Sequence, residues 1–201
     1  MIRLNSDRTQ EAQLNYHRHC RAYTLFCETT QAPRIHIARK YIESILKSTE
    51  GKQGIVELGC GAGEITGPYS NGTVDVTGVE IIAECADPVG KHYPNMKLLI
   101  GPVEELEPIP CTILVLCEFL EHVHDPEALV KKWLPHAQYA IIGHPLDEPN
   151  PPYEKGHCWS YSWDDYKKWA EWGGHEIRHV QIFPCPPVYT MIYGLTKRLT
   201  S

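Results

Sequence analysis

The 201-residue chain has no Cys-x-x-Cys pair, no internal repeat and no low-complexity tract. Its eight cysteines stand apart at Cys20, Cys27, Cys60, Cys85, Cys111, Cys117, Cys158 and Cys185. That spacing excludes the usual zinc-ribbon and thioredoxin-type signals. Cys117 ends the apolar run Ile113–Leu116, where a free thiol behaves as a small hydrophobe. No run approaches the roughly 18 apolar residues of a membrane span. Met1–Arg8 also lacks the apolar core of a signal peptide. A reduced, soluble, cytoplasmic protein with no membrane span is therefore expected. Basic charge is scarce too: 19 lysines and arginines face 25 acids, a formal charge of −6. This disfavours non-specific nucleic-acid binding, which needs many cations against phosphates, although the count leaves a local basic patch open. With 42% hydrophobic and 22% charged residues, the chain reads as one compact domain with its own core, as a monomer or weak dimer.

What is present alternates. Residues 1–50 read as a polar, helical extension or lid, with one helical stretch over Gln10–Cys27 and a break near Thr29–Pro33. A second stretch, Ile35–Lys47, spaces Ile35, Ala38, Tyr41, Ile42 and Ile45 as one helix face. From residue 51 onward short apolar runs recur at Ile55–Leu58, Val76–Val79, Met96–Ile100, Thr112–Leu116 and Tyr139–Ile142. Helical segments such as Glu127–Leu134 and Asp164–Trp172 accompany them. Such alternation predicts an α/β fold with a parallel sheet covered on both faces. Glu176–Phe183 and Val188–Leu195, joined by Pro184–Pro187, read as a final hairpin on the sheet edge.

The most informative stretch is Ile55-Val56-Glu57-Leu58-Gly59-Cys60-Gly61-Ala62-Gly63-Glu64-Ile65-Thr66. A buried strand enters a loop with glycine at every second position, and a helix is expected to follow. Glycines there allow a tight turn and close approach of a ligand to the backbone. The third glycine of a dinucleotide loop is missing, and Glu64 stands in its place. A carboxylate at a helix start opposes a pyrophosphate, while Glu57 adds an acid suited to a cationic ligand. The next strand ends at Glu80, at the distance where an acid accepts hydrogen bonds from ribose hydroxyls. A structural glycine turn, or a nucleotide site of another kind such as that of a nicotinamide oxidoreductase, is the alternative.

The E-x-G-x-G-x-G loop with its strand-end Glu80 resembles class I S-adenosylmethionine-dependent methyltransferases, over residues 51 to about 197. The resemblance implies a Rossmann-like, seven-stranded, mostly parallel sheet with an antiparallel C-terminal hairpin. It implies S-adenosylmethionine as cofactor, held by Glu57, Gly59, Cys60, Gly61, Gly63, Glu80, Ile81, Val103 and Cys117. Two departures stand out. Pro102 replaces the acid that many relatives place near the adenine, leaving that role to the backbone around Val103 or to Glu104, and Thr112 replaces an aspartate at the start of the fourth strand.

The fourth strand ends in Cys117-Glu118-Phe119-Leu120-Glu121-His122. If Glu118 opens a helical turn, Glu118, Glu121 and His122 share one face, and two carboxylates with an imidazole suit a divalent metal. E-x-x-E-H resembles two subgroups, the small-RNA 3′-terminal 2′-O-methyltransferases and the ubiquinone-pathway O-methyltransferases. His157-x-Trp159-x-Tyr161-Ser162-x-x-Asp165-Tyr166-x-x-Trp169-Ala170 is similar to a segment of the RNA group. By that resemblance Glu118, Glu121, His122 and His157 hold Mg2+ or Mn2+, with His122 and His157 as catalytic candidates. A structural carboxylate–histidine network is the plainer alternative, and Ser162 fits an ordinary helix N-cap. His144, after the fifth strand, reads as a loop residue, a base or a substrate contact. Arg34 reads as a solvated arginine, or as a partner for the cofactor carboxylate like a similar arginine of the ubiquinone-pathway enzymes.

The expected function is methyl transfer to a hydroxyl oxygen of a small metabolite. An RNA 3′ end, with Trp159, Tyr161 and Trp163 stacking on bases, is the second acceptor class. A non-catalytic cofactor-binding protein is the third reading.

Overall fold

The computed structural model describes residues 1–4, 9–18, 33–150, 152, 155–185 and 189–199. Strand β1 (Ile2–Arg3) and helices α1 (Gln10–Arg18) and α2 (Pro33–Ser48) lead into a βα succession. It comprises β2 (Gln53–Leu58), β3 (Val74–Glu80), α3 (Ala86–His92), β4 (Lys97–Ile100), β5 (Cys111–Cys117), α4 (Pro126–Trp133) and β6 (Ala137–Pro145). Strand β7 (Trp159–Ser160), helix α5 (Trp163–Trp172) and the hairpin β8 (His175–Cys185) and β9 (Tyr189–Arg198) complete it. The break expected near Thr29–Gln31, together with Cys20 and Cys27, lies outside the described residues, as do Pro186, Pro187 and Val188 of the expected hairpin loop.

Seven strands form one sheet in the order β4-β3-β2-β5-β6-β9-β8. The first five run parallel and β9 is antiparallel to both neighbours. This is the mixed sheet with a C-terminal hairpin that the alternating runs and the family resemblance predict. The chain builds outward from β2 to β4, then crosses to β5 and builds the other way. That reversal puts a crevice at the carboxyl ends of β2 and β5, where open α/β sheets bind ligands.

Side-chain alternation separates two apolar layers. Val56, Leu58, Leu114, Leu116 and Ile142 pack with Val130, Trp133, Tyr166 and Trp169 of α4 and α5. Ile55, Ile113, Val115 and Ile141 pack on the opposite face with the stripe Ile35, Ala38, Tyr41, Ile42 and Ile45 of α2. That stripe has the spacing read from the sequence, since it is the face α2 must bury. Helix α4 begins where the Asp125 side chain accepts the Ala128 N–H and Pro126 supplies the first helical φ. A capping box between Ser162 and Asp165 starts α5, as expected for Ser162.

One expected element is absent. No α-helix follows the glycine loop; residues 59–73 form turns and a single 3-10 turn, Gly67–Tyr69. Gly67, Pro68 and Gly72 are poor helix formers, and few residues separate β2 from β3. Glu64 therefore does not stand at the start of a helix, and its expected effect on a pyrophosphate loses its basis.

Among the described residues no helix is long and apolar enough to cross a membrane. Cys60, Cys85, Cys111, Cys117 and Cys158 are free thiols.

Candidate active site

The cleft opens above the glycine loop. Gly59, Gly61 and Gly63 all hold positive φ, at 71°, 52° and 80°, which side chains rarely adopt without strain. Gly59 also lies against Phe119, where a Cβ would stand 2.5 Å from Cδ2 of the ring. Gly59 and Cys60 donate their N–H groups to Val79 O, tying the loop to the end of β3. Glu80 completes the arrangement. Its Oε2 accepts the Gly61 N–H at 2.9 Å, and its Oε1 accepts those of Ile81 and Ile82 at 2.7 and 3.0 Å. These contacts hold the carboxylate at the cleft wall beside Ile81. Its two oxygens offer about four acceptor sites, three of them taken by these N–H groups, so capacity remains for one ligand hydroxyl.

The expected cofactor residues divide into two groups. Gly59, Gly61, Glu80, Ile81 and Val103 line the cleft, whereas Glu57, Cys60, Gly63 and Cys117 do not. Glu57 is 2% exposed and accepts the Thr66 hydroxyl at 2.5 Å. It braces the loop from beneath, and burial pushes its carboxyl up to about 8. Burial likewise raises the Cys60 and Cys117 thiols well above their ordinary value, so neither is a thiolate nucleophile. Gly63 faces Tyr93 and Met96. Past the end of β4, Gly101, Pro102, Val103 and Glu104 all reach the cleft.

At the end of β5 the chain turns at Glu118, whose φ is +53°. This left-handed residue breaks the helical turn on which the four-residue ligand set depended. The Glu118 carboxylate accepts the Tyr193 hydroxyl at 2.9 Å and pairs with Arg34 at 3.7 Å. Glu118 thus lines the cleft with Arg34 as its partner and does not join the metal-type cluster. The 3-10 turn Leu120–His122 follows, and it brings Glu121 and His122 to His157. Candidate ligand atoms of these three lie within 4.8 Å of one another. Glu121 is 1% and His157 3% exposed, while His122 lines the cleft.

Hydrogen bonds from distant segments hold this turn. Cys158 donates its N–H to Glu121 O, the Tyr161 hydroxyl donates to Leu120 O, and the Trp159 indole donates to Val123 O. From α1, the buried Gln13 amide donates to His122 O and to Gly156 O, at 3.0 and 2.8 Å. Gln10 and Gln13 also line the cleft, so the N-terminal segment contributes to the site. Gln10, Gln13, Phe119 and His124 were not legible as site residues, because no spacing signal links them to the motifs. One carboxylate with two imidazoles suits Mn2+, Fe2+ or Zn2+ better than Mg2+, which prefers an all-oxygen shell.

His144 is fully buried against Tyr161 and Trp169. Desolvation lowers its pKa to about 4. It is a neutral core histidine and neither a loop residue nor a base at the cleft. Tyr161 and Tyr166 are equally buried, and Trp163 stacks on Tyr166, so Tyr161 offers no exposed face to a base.

Residues 56–134 match the methyltransferase domain family. No curated protein matches the chain. Among solved structures, magnesium protoporphyrin IX methyltransferase from Synechocystis PCC 6803 with bound S-adenosylmethionine is similar at TM-score 0.72 and 13% identity, covering 97% of this chain and 100% of that one. The 1,6-didemethyltoxoflavin-N1-methyltransferase of Burkholderia thailandensis is similar at TM-score 0.65 and 14% identity, over 85% of this chain and 80% of that one. The cyclase SpnF is similar at TM-score 0.64 and 8% identity, over 81% of each chain. The chain therefore has the Rossmann-like methyltransferase fold. A cyclase on the same fold shows that function must be argued from the site.

Proposed function

We propose that this chain is an S-adenosylmethionine-dependent methyltransferase that acts on a hydroxyl oxygen of a small metabolite. One observation carries the oxygen assignment: the Glu121–His122–His157 cluster reaches the same cleft that Gly59, Gly61 and Glu80 line. The cleft chemistry fits the cofactor. Glycine backbone permits close approach, Glu80 keeps an acceptor site for a ribose hydroxyl, and the Val103 stretch of the cleft would receive the adenine. Glu118 lines the cleft and pairs with Arg34, and this guanidinium and carboxylate would match the zwitterionic amino-acid part of the cofactor.

In the reaction the C–S bond of the sulfonium breaks as the C–O bond forms. The electron pair leaves with sulfur, giving S-adenosylhomocysteine, and the hydroxyl's proton passes to solvent water. The chain's part is to hold acceptor and donor in line, which contributes up to about 7–11 kcal/mol in well-oriented systems. Glu121, His122 and His157 would hold a divalent ion of the Mn2+ class, whose chemistry there is to lower the pKa of an acceptor hydroxyl. His122 is the imidazole of the cluster that lines the cleft. Helix α1 flanks the cleft through Gln10 and Gln13, and the sheet from β2 onward carries the cofactor site.

A small acceptor agrees with the charge of −6 and with the burial of Tyr161, one of the three aromatic residues the RNA reading needs, although Trp163 is exposed. Two of the similar structures are methyltransferases named for small molecules, a porphyrin and a toxoflavin precursor. The test is isothermal titration with S-adenosylmethionine, followed by methyl transfer into hydroxylated metabolites, amines and short RNAs. Binding of the cofactor and a methoxy product from a small acceptor are expected. Preference for NAD over S-adenosylhomocysteine, or methylation of RNA with steep salt dependence, would contradict the proposal.

A further inference from the structure

Behind the cluster lies a carboxylate that no motif pointed to. Glu148 follows β6 and its side chain is 1% exposed; Oε2 stands 2.5 Å from Nδ1 of His157, itself 4% exposed. The loop is built to deliver it. Leu146 donates its N–H to Thr190 O, and Asp147 donates to Tyr161 O. Between these anchors Asp147 adopts φ +51°, a conformation that non-glycine residues hold only where the surroundings enforce it. The backbone thus turns Glu148 inward. His122 is treated in parallel, since its Nδ1 lies 3.2 Å from Gly156 O, a carbonyl that Gln13 also engages.

We propose that Glu148 is the positioning residue of the cluster. By accepting the Nδ1–H of His157 it fixes the ring's tautomer and orientation, so that Nε2 is the atom offered to an ion beside Glu121 and His122. A carboxylate accepts and does not donate, so the shared proton sits on Nδ1. Histidine ligands in metalloproteins are routinely held this way by a carboxylate or carbonyl on the other ring nitrogen. This inference rests on the ion reading of the cluster made above.

The test uses the full chain with MnCl2 as probe, read by calorimetry, and 15N NMR of the histidine rings without metal. Wild type is expected to bind Mn2+ and to show the His157 proton on Nδ1. Glu148→Ala is expected to weaken Mn2+ binding by about 10–100-fold and to abolish that proton's slow exchange. Glu148→Gln, nearly the same size, keeps an acceptor oxygen without the charge; it should retain the Nδ1 proton and bind Mn2+ with intermediate affinity. It also serves if the alanine variant does not fold. Unchanged Mn2+ affinity in Glu148→Gln and Glu148→Ala, or a His157 proton on Nε2, would overturn the assignment of Glu148. Wild type that fails to bind Mn2+ while its Nδ1 proton is in place would overturn the ion reading and leave the Glu148–His157 contact standing.

Discussion

The two halves of the cleft are built by different means. The half over β2 and β3 is made of backbone: three glycines at positive φ and a Glu80 carboxylate held by three N–H groups. All of it comes from residues 59–82. The half over β5 and β6 is made of side chains from distant segments, with Glu121, His122, Glu148 and His157 meeting there and Gln13 bonding Gly156 across 143 residues. A backbone cradle tolerates no added atom but is indifferent to most neighbours. A side-chain cluster depends on each support in turn.

The largest effect is expected at Gly59→Ala. The new methyl meets the Phe119 ring, and the backbone must hold a φ that costs a non-glycine residue about 1–2 kcal/mol. Binding of S-adenosylmethionine should fall below detection by calorimetry, with Mn2+ binding kept within threefold. Loss of both ligands would mean that the halves are not separable.

The next effect is on stability, and the halves respond to pH in opposite senses. His144, under the side-chain half, has its pKa lowered from 6.5 to about 4 by burial. The unfolded chain binds its proton first, so stability is full above pH 6.5 and is lost as pH falls toward 4. At 1.36 kcal/mol per pH unit this amounts to about 3 kcal/mol. Glu57, under the glycine loop, is raised from 4.5 to about 8 by burial. Its contribution is full below pH 4.5 and is lost as pH rises toward 8. Urea denaturation from pH 4 to 8 should therefore show His144→Phe flattening the acid limb and Glu57→Gln the alkaline one. An unchanged acid limb in His144→Phe would refute the first assignment.

A smaller effect tests the cluster itself. Glu121→Ala should reduce Mn2+ affinity by about 100-fold, near the cost of losing one well-placed charged ligand, while cofactor affinity stays within threefold. The smallest change is expected at Glu118→Gln. Its partners are Tyr193 and Arg34, so Mn2+ affinity should move less than threefold. A loss equal to that of Glu121→Ala would restore the four-residue ligand set.

The same contrast explains what could be read from the sequence. The glycine loop, Glu80 and the α2 stripe are local patterns, and each is where spacing places it. The helix after the loop was expected because strand–loop–helix is the usual continuation, but Pro68 and the flanking glycines stop it. Glu118 was grouped with Glu121 and His122 by helical spacing. A single residue at φ +53° is enough to turn it away, and nothing in the residue type announces that. His144 sits beside the cleft strands in sequence, yet its ring faces the aromatic core. Glu148 and Gln13 carry no motif, since their roles exist only after distant segments have packed.

The proposed function requires one cleft to join a cofactor cradle to an oxygen-activating cluster. The most direct measurement is transfer of a 13C-labelled methyl group from S-adenosylmethionine, with Mn2+ present, into a panel of small hydroxylated acceptors, followed by NMR of the products. A methyl carbon bonded to oxygen is expected in wild type and lost in both Gly59→Ala and Glu121→Ala. A methyl bonded to nitrogen, carbon or sulfur, or full turnover by Glu121→Ala, would contradict it.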